Sequence, residues 1–440
     1  MGEWETIGAD LDSQTKDYLT GVMNLGYFME SVPEEMDRLH RDGKTPAVVY
    51  FNIENFKTFN EKYGFLTGNE YLKDIAGIIS SEVKTGFVAR FSEDHFVAVT
   101  DADDFSRFIE RIHERAHKIQ RGLVMEVKAG VYIMSGRVDA AAACDYARLA
   151  CLSVPHRQEH VYRVYDMELE EHAKRRDYII KNLDEALENG YIHVYFQPLI
   201  RASTGSVYGA EALSRWIDPT YGFMNPGIFI SVLEQTGMIY KLDSFMIREI
   251  CRHYRSNEDR GVKNVPVSVN ISRVDFEHGD MLRVIEVAEK EFKVPKDMIH
   301  IEVTESALNE DPVMLRREVE RFQEHGHAVW MDGFGSGYSS LSLFHEMSFD
   351  LVKFDMAFLR NFDKNKKTRG ILMALVHMVK QLGVQTLVEG VETPEQVDFL
   401  RSIGVDKLQG YYFSKPIPAE EIDAWVAEHD ACGESRDNWS

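Results

Sequence analysis

The sequence HVYFQPLIRASTGSVYGAEALSRW, residues 193–216, contains two short apolar strands that each carry a polar residue which a buried core strand would avoid. His193–Ile200 carries Gln197, and Val207–Trp216 carries Glu211. Six further segments repeat this arrangement with helical patterns between them: Pro266–Ser272, Ile299–Glu305, His327–Phe334, Phe349–Asp355, Gln385–Val391 and Lys407–Phe413. Eight strands that alternate with helices over about 250 residues predict a TIM-type (β/α)8 barrel.

One polar residue in each predicted strand is the second feature of this region. The eight are Gln197, Glu211, Asn270, Glu302, Asp332, Lys353, Glu389 and Gln409. Because the carboxyl ends of barrel strands converge on one mouth, the carboxylates among them would repel one another unless a cation helps. Oxygen ligands without Cys or His favour a hard metal, Mg²⁺ or Mn²⁺, and such a site suits phosphoryl transfer. Any single Glu or Asp could instead be a helix cap or a surface charge, but the register of all eight favours the metal site.

The residues before the barrel have a different pattern, in which helices are interleaved among strands. Ala47–Asn52 and a strand ending at Ile133 flank a hairpin-like pair of strands, Phe87–Phe91 and Phe96–Thr100. This order predicts an α+β sandwich with one sheet over residues 16–165, after a polar segment at 1–15. A charged amphipathic helix over Asp166–Asn189 is expected to connect the two domains, with the connector assigned to 166–183, the barrel to 184–432 and a tail to 433–440.

Composition and charge narrow the class of protein. The chain has 440 residues, 44% of them hydrophobic, a net charge of −22 and a pI near 5.2. Such a charge argues against binding to DNA or to an anionic membrane surface. The four cysteines have no metal-ligand spacing, and no apolar run reaches membrane-spanning length, so we expect a cytoplasmic protein with reduced thiols.

At these residues the barrel region resembles the EAL family of cyclic-di-GMP phosphodiesterases. The matching motifs are FQP at Phe196–Pro198, EALSRW at Glu211–Trp216, VNIS at Val269–Ser272, EVTE at Glu302–Glu305, FGSGYSSL at Phe334–Leu341, VKFD at Val352–Asp355, VEGVET at Val388–Thr393 and QG at Gln409–Gly410, with Lys415-Pro416 beyond. The ordered set is specific, whereas a bare E-A-L tripeptide is not. The resemblance implies an activity that opens cyclic di-GMP to linear pGpG with two metal ions, and a barrel with one reversed strand.

The same resemblance implies a role for each matching residue. The ligands of one metal would be Glu211, Asn270, Glu302 and Asp332. The residues implied to serve catalysis are Lys353 beside the attacking water, Glu389 near the metals, and Glu305, which steadies the loop after the fifth barrel strand. The residues implied to contact or line the dinucleotide site are Gln197, Glu211, Arg215 and Gln409.

One position departs from the family pattern in a way that bears on activity. The family has two consecutive aspartates before Phe-Gly, and this chain has Asp332-Gly333. The second metal would lose a charged ligand, so the resemblance predicts impaired turnover. Gly333 could also be a tolerated loop glycine with water in place of the carboxylate.

The N-terminal region resembles the GGDEF diguanylate cyclases but lacks much of their signature. LTGVMN at Leu19–Asn24 and FKTFN at Phe56–Asn60 match, whereas Ser92–Phe96 reads SEDHF in place of the glycine-rich motif. Side chains at Ser92 and Glu93 would obstruct the close approach of phosphates. Asn52 stands where a metal-binding aspartate belongs, and Asn69 replaces another family aspartate. We therefore expect no cyclase activity.

Three functions stay open on these grounds. The protein is a slow or conditional phosphodiesterase, or a receptor that binds cyclic di-GMP and changes the hinge near Asp166–Asn189, or a scaffold that binds no nucleotide. The retained carboxylates argue against the scaffold, and Gly333 separates the first two. A homodimer through the barrel, with Gly335–Phe344 as a candidate dimer-facing loop, is expected by resemblance alone.

Overall fold

The computed structural model describes residues 14–119, 125–134, 138–154, 161–305, 307, 311–335, 347–360 and 366–431. It forms two compact units, Met1–Arg175 and Arg176–Ser440. The predicted tail, Cys432 and most of the candidate dimer-facing loop (residues 336–344) lie outside the described residues, as does most of the predicted N-terminal segment. Among the described helices, none combines the length and the apolar character that a bilayer crossing requires.

The first unit contains one five-stranded sheet with helices on both faces. Its elements are α1 (Leu25–Arg41), β1 (Pro46–Ile53), α2 (Phe56–Tyr63), α3 (Phe65–Glu82), β2 (Phe87–Ser92), β3 (His95–Asp101), α4 (Phe105–His117), β4 (Val127–Ile133), α5 (Ala140–Leu152) and β5 (Tyr162–Val164). The strand order is β2-β3-β1-β4-β5. Alternate residues of β1 belong to different cores, with Val49 and Phe51 in one and Val48 and Tyr50 in the other. An apolar strand that is buried on both faces therefore lies at the centre of the sheet, and the predicted α+β sandwich is confirmed.

The second unit is a closed barrel of eight strands. After α6 (Met167–Glu188), which spans the division between the units, its strands are β6 (Ile192–Arg201), β7 (Val207–Asp218), β9 (Val267–Asn270), β10 (Ile299–Thr304), β11 (Val329–Phe334), β12 (Leu351–Phe354), β13 (Gln385–Val388) and β14 (Lys407–Leu408), with two short additional strands, β8 (Gly222–Met224) and β15 (Ile417–Pro418). Its helices are α7 (Pro226–Gln235), α8 (Ile239–Arg260), α9 (Arg273–His278), α10 (Met281–Phe292), α11 (Pro312–Glu324), α12 (Lys366–Gln381), α13 (Pro394–Ser402) and α14 (Ala419–Ala431).

The sheet closes because β6 pairs with β7 on one side and with β14 on the other. Both pairings are antiparallel, whereas the ladders from β7 through β9 to β14 are parallel. The predicted barrel is confirmed, including its one reversed strand. The last strand is shorter than predicted: hydrogen bonding between strands continues through Gln409, but after Gly410 the chain turns, and Phe413 and Ser414 donate back to the Gly410 carbonyl.

Alternation along the strands fills the barrel interior with two layers. Because successive side chains point to opposite faces, residues two apart on one strand face the same side. The upper layer, at the carboxyl ends of the parallel strands, contains the polar residues predicted from the sequence. The lower layer consists of the residues two positions away from these on the same strands, toward the other end of the barrel. On β7 the separation from Glu211 is three positions, because the pairing of β6 with β7 is irregular there. The lower layer contains Leu199, Tyr208, Ser268, His300, Trp330, Leu351, Leu387 and Lys407.

Candidate functional site

Five charged side chains from the barrel strands meet at the carboxyl ends of the parallel strands. Glu211 is on β7, Glu302 on β10, Asp332 on β11 and Lys353 on β12, and Glu389 directly follows β13. Because side chains alternate between the two faces of a strand, the pairing register fixes which of these charged residues point into the barrel. The site therefore rests on rigid elements, at the end of the barrel where enzymes of this architecture carry their active sites.

The ammonium group of Lys353 lies at the centre of this group. Its Nζ is 2.7 Å from Glu302 Oε2 and 2.7 Å from Glu389 Oε1. It is 3.2 Å from Glu211 Oε2 and 3.4 Å from Asp332 Oδ1. The Lys353 side chain has 0% exposure, whereas Asp332 and Glu389 are partly exposed. One cation faces four carboxylates, which leaves an excess of three negative charges when all are ionised.

Amide side chains extend the site from Glu211. Asn270 Nδ2 donates to Glu211 Oε1 over 2.9 Å, and Gln409 Nε2 donates to Glu211 Oε2 over 2.7 Å. Gln409 Nε2 also lies 3.2 Å from Gln197 Oε1, and Gln197 Nε2 donates to the Ser414 carbonyl over 3.3 Å. All three amides therefore belong to one connected network with the carboxylates.

The pKa values of these groups reflect the excess of negative charge. Burial and then the charge of Glu211 raise the pKa of Glu302 well above its usual value, although Lys353 opposes the shift. Burial, aided by Asp332, raises the pKa of Glu389 to about 7 against the same opposition from Lys353. Burial would also raise the pKa of Glu211, but Lys353 and the Gln409 hydrogen bond outweigh it, so that pKa is lowered. Protons or a further cation would offset the excess negative charge of the cluster.

The donor set of the cluster fits a hard divalent cation. Its donors are carboxylate and amide oxygens, and the buried Oε1 atoms of Glu302 and Gln409 have no hydrogen-bond partner within the described part of the chain. In the side-chain arrangement observed, no three His, Cys, Asp or Glu side chains of the described residues are placed to hold a metal ion. Lys353 takes the point on which the carboxylates converge, so metal binding requires side chains to shift around it.

Two of the predicted site residues lie outside this cluster. Arg215 is half-buried; its Nη1 donates to the Ser214 carbonyl over 2.8 Å, and its guanidinium lies 5.7 Å from the centre of the Tyr195 ring. Glu305 Oε2 accepts a hydrogen bond from the backbone N–H of Gly335 over 3.0 Å. Glu305 therefore contacts the start of the segment that follows β11, and it has no contact with Lys353 among those described.

Gly333 lies next to Asp332 within β11, in a backbone conformation that the sequence did not reveal. Its φ is +73°, and the pairing of β11 with β12 is irregular between Met331 and Phe334. A residue with a side chain is strained in this left-handed region, and Asp and Asn tolerate it better than most. The glycine therefore has a conformational role beside the absence of a carboxylate.

The turn between β2 and β3 in the first unit is held by its own side chains. Ser92 Oγ lies 3.0 Å from His95 Nδ1, and Asp94 Oδ1 lies 3.1 Å from the same nitrogen. The guanidinium of Arg90 donates to the Glu93 carbonyl, with Nη2 at 2.6 Å. The side chains of Ser92, Asp94 and His95 and the carbonyl of Glu93 are therefore engaged within the turn.

Four polar residues of the barrel interior were missed by the sequence analysis. They belong to the lower layer, two or three positions before the polar residues that were predicted: Tyr208, Ser268, His300 and Lys407. The analysis selected one polar residue per strand and stopped there. The period of two along each strand was the signal that would have found the second layer.

Two family descriptions match the chain. Residues 180–416 match the EAL domain, and residues 14–154 match "Diguanylate cyclase, GGDEF domain". A solved structure described as "PaMucR Phosphodiesterase, c-di-GMP complex" is 30% identical, with a TM-score of 0.53, and covers 56% of this chain and 99% of that one. A structure of LapD from Vibrio cholerae, described as S helix-GGDEF-EAL bound to c-di-GMP, covers 93% of this chain and 98% of that one with a TM-score of 0.54; at 18% identity it shows the fold alone.

Curated relatives align with nearly all of the chain. The cyclic di-GMP phosphodiesterase PdeR of Escherichia coli is 29% identical over 422 residues, which is 94% of this chain and 63% of PdeR. The cyclic di-GMP phosphodiesterase NbdA of Pseudomonas aeruginosa is 28% identical over 422 residues, 93% of this chain and 54% of NbdA. An uncharacterized signaling protein of Caulobacter vibrioides is 29% identical over 94% of this chain and 52% of its own length. The chain thus spans about half to two thirds of these relatives.

Proposed function

The chain belongs to the EAL domain family and has a GGDEF domain before it, and on that premise we propose that its barrel binds cyclic di-GMP at a divalent-metal site. The observation that carries the proposal is the meeting of four carboxylates from four different strands around one buried ammonium. A buried excess of negative charge is costly. A divalent cation bound there would offset that cost and would attract a phosphodiester.

The printed descriptions of similar proteins support the choice of ligand. PdeR and NbdA are named as cyclic di-GMP phosphodiesterases, and the PaMucR structure at 30% identity is described as a complex with c-di-GMP. These proteins share the barrel with this chain over its full EAL region. Cyclic di-GMP is therefore the first ligand to test.

We assign the metal to Glu211, Asn270, Glu302 and Asp332, with Mg²⁺ or Mn²⁺ as the ion. When bound, the metal supplies charge neutralisation for the phosphodiester and activates water at neutral pH. Lys353 holds positive charge in the buried cluster and orients the carboxylates around it. Glu389 has a pKa near 7, so it can accept or release a proton at the pH of the cell. Gln197, Arg215 and Gln409 are proposed to contact the dinucleotide, and Glu305 to position the segment that begins at Gly335.

Hydrolysis by this site is proposed to be weak or lost. Gly333 occupies the position of a metal-binding aspartate in the family pattern, so a second metal would have one ligand fewer. Two-metal hydrolysis needs an ion for the nucleophile and another for the opposing oxygens. The chain would then act as a receptor for cyclic di-GMP rather than as an efficient phosphodiesterase, because binding needs fewer metal ligands than catalysis.

The GGDEF domain is proposed to be a regulatory module without cyclase activity. Its turn has side chains at Ser92 and Glu93, which would obstruct the close approach of phosphates, and Arg90 donates to the Glu93 carbonyl. We also propose that the chain forms a homodimer through the barrel, which sedimentation of the full chain tests.

The test follows binding and product in one sample of the full chain with cyclic di-GMP and Mn²⁺ or Mg²⁺. We expect saturable, metal-dependent binding, little pGpG, and loss of binding in Glu211→Ala. Gly333→Asp should raise the rate of pGpG formation at least tenfold. Gly333→Asn is the matched control, because Asn has the same shape and tolerates the left-handed backbone equally well but carries no charge.

The remaining outcomes distinguish the alternatives. Prompt pGpG formation by the unchanged chain, abolished in Glu211→Ala, would make the protein an active phosphodiesterase in which Gly333 is tolerated. An equal gain in Gly333→Asp and Gly333→Asn would mean that the missing charge is not the cause of slow turnover. Neither binding nor product would leave an interaction scaffold.

A further inference from the structure

A second cavity opens at the end of the barrel opposite to the carboxylate cluster. Its volume is about 380 Å³, and it lies at the end of β6, the starts of β13 and β14, and the ends of α12 and α13. Its charged lining residues are Arg201, Lys380, Arg401, Asp406 and Lys407. We call it the closed-end pocket. Nothing in the proposed chemistry of the barrel mouth uses it.

The closed-end pocket has an excess of positive charge in a chain whose net charge is −22. Its one carboxylate, Asp406, is engaged elsewhere: Oδ2 accepts from the backbone N–H and the hydroxyl of Thr386 at 2.9 and 2.8 Å, and Oδ1 pairs with Lys380 Nζ at 2.8 Å. Asp406 therefore fixes the start of β13, and its contact ion pair is with Lys380.

The other three cations have no carboxylate partner within 4.0 Å in the part of the chain that the structure describes. Arg401 uses Nε to donate to the Ala202 carbonyl over 2.7 Å, which leaves the two terminal nitrogens of its guanidinium for another acceptor. Arg201 stacks on the Tyr208 ring, with its guanidinium carbon 4.7 Å from the ring centre. Both guanidinium groups are thus held in place by contacts that do not neutralise them.

Lys407 is buried, so the pocket is more than a cluster of exposed side chains. It has 2% exposure, and its Nζ lies 4.0 Å from the centre of the Tyr208 ring and 5.7 Å from that of Trp330. Its hydrogen-bond partner is the neutral amide of Gln385. Burial lowers the pKa of Lys407 to about 8, with a smaller lowering from Arg201, although the charge of Asp406 opposes the shift. An ammonium that is buried without a counter-ion is costly, and a bound anion would offset the cost.

We propose that the closed-end pocket binds a compact phosphate-bearing anion, such as pyrophosphate or the phosphate tail of a nucleotide. Planar guanidinium groups match phosphate oxygens two at a time, and two of them converge here with a buried ammonium. The net charge of the lining, four cations against one carboxylate, matches an anion of about three charges better than a single carboxylate ligand. The volume suits a small phosphorylated molecule.

The test titrates the full chain with pyrophosphate by calorimetry in EDTA, which removes divalent metals from the barrel mouth. We expect binding of one pyrophosphate per chain. The affinity should fall at least tenfold in Arg201→Gln and in Arg401→Gln, while both variants keep the circular dichroism spectrum of the parent. Arg248→Gln is the matched control, because Arg248 lies on the same barrel but is paired with Glu291 at 3.0 Å; its affinity should be unchanged.

Titrations with inorganic phosphate and with ADP distinguish a free anion from the phosphate tail of a nucleotide. Binding of pyrophosphate and inorganic phosphate without ADP supports a pocket for a free anion, and binding of ADP at least as tight as pyrophosphate supports the phosphate tail of a nucleotide. The proposal is overturned by the absence of pyrophosphate binding at millimolar concentration, or by binding that survives both Arg201→Gln and Arg401→Gln, or by an equal loss in Arg248→Gln. Cyclic di-GMP binding in Mn²⁺ should be unchanged in the Arg201 and Arg401 variants. A loss of pyrophosphate binding at the closed-end pocket can therefore be distinguished from a loss of cyclic di-GMP binding at the mouth.

Discussion

The two ends of the barrel interior hold opposite charges on the same set of strands. At the mouth, four carboxylates surround one ammonium; at the closed end, four cations line a pocket with one carboxylate. Glu302 lies two residues from His300, and Gln409 two residues from Lys407. One inward residue of each strand sets the charge of the mouth, whereas the pocket combines Lys407 and Arg201 of the strands with cations at the ends of α12 and α13.

The two buried lysines show what this difference means in energy. Lys353 contacts four carboxylates, whereas Lys407 contacts two aromatic rings and an amide. Removal of the Lys353 ammonium would leave like charges facing each other in a buried site. Removal of the Lys407 ammonium would leave no unpaired charge among the side chains that contact it.

The largest effect is expected from replacing each lysine by methionine. Lys353→Met should lower the free energy of unfolding in EDTA by about 3–5 kcal/mol, because the carboxylates lose their only cation. Lys407→Met, the matched control at the other end, should stay within about 1 kcal/mol of the parent. Urea unfolding followed by tryptophan fluorescence measures both, since Trp216 and Trp330 are buried in the barrel. Equal losses would contradict the comparison, and Mn²⁺ should restore part of the stability of Lys353→Met.

A smaller effect, about 3 kcal/mol, is expected from pH, with opposite signs at the two ends. The pKa of Glu389 is raised to about 7, so the folded state binds more protons than the unfolded state between about pH 4.5 and 7, and its contribution to stability falls as pH rises through that range. The pKa of Lys407 is lowered to about 8, so the unfolded state binds more protons between about pH 8 and 10.5, and the Lys407 contribution rises with pH there.

Melting temperatures in EDTA across this range check both signs against matched variants. Glu389→Gln should flatten the dependence below pH 7 relative to the parent, and Lys407→Met should flatten it above pH 8. If Glu389→Gln changed the dependence only above pH 8, or Lys407→Met only below pH 7, the replaced residue would not be the group that titrates in its expected range.

The smallest effect is expected at the Tyr208 hydroxyl. Its oxygen lies 3.3 Å from His300 Nε2, which is a long hydrogen bond, so Tyr208→Phe should cost less than about 1 kcal/mol of unfolding free energy. Because the ring that both Arg201 and Lys407 contact remains, pyrophosphate affinity should stay within about twofold. Tyr208→Leu removes the ring and should weaken pyrophosphate binding by more than that. If the two variants bind pyrophosphate equally well, the ring faces do not position the cations.

The sequence predicted those features that depend on period and on strand order. Apolar strands of alternating pattern fixed the barrel, and Glu211, Glu302 and Asp332 lie together because parallel strands place their carboxyl ends side by side. The position of Lys353 among all four carboxylates was not predicted, since it depends on how far each side chain reaches across the interior. The left-handed backbone at Gly333 also escaped prediction, because an irregular pairing between β11 and β12 creates it and no local motif marks it.

The reversed strand β6 has a consequence for the order in which the chain assembles. Arg201 pairs with Lys407, and Phe196 pairs with Ile417, so the seam of the barrel joins segments about 200 residues apart. At ribosomal speeds of roughly 5–20 residues per second, β6 would wait about 10–40 s for its second neighbour to be synthesised. During that interval β6 has one unpaired edge, which is open to pairing with other chains. The short strands β14 and β15 then pair with β6 at two places along that edge, and β14 closes the barrel.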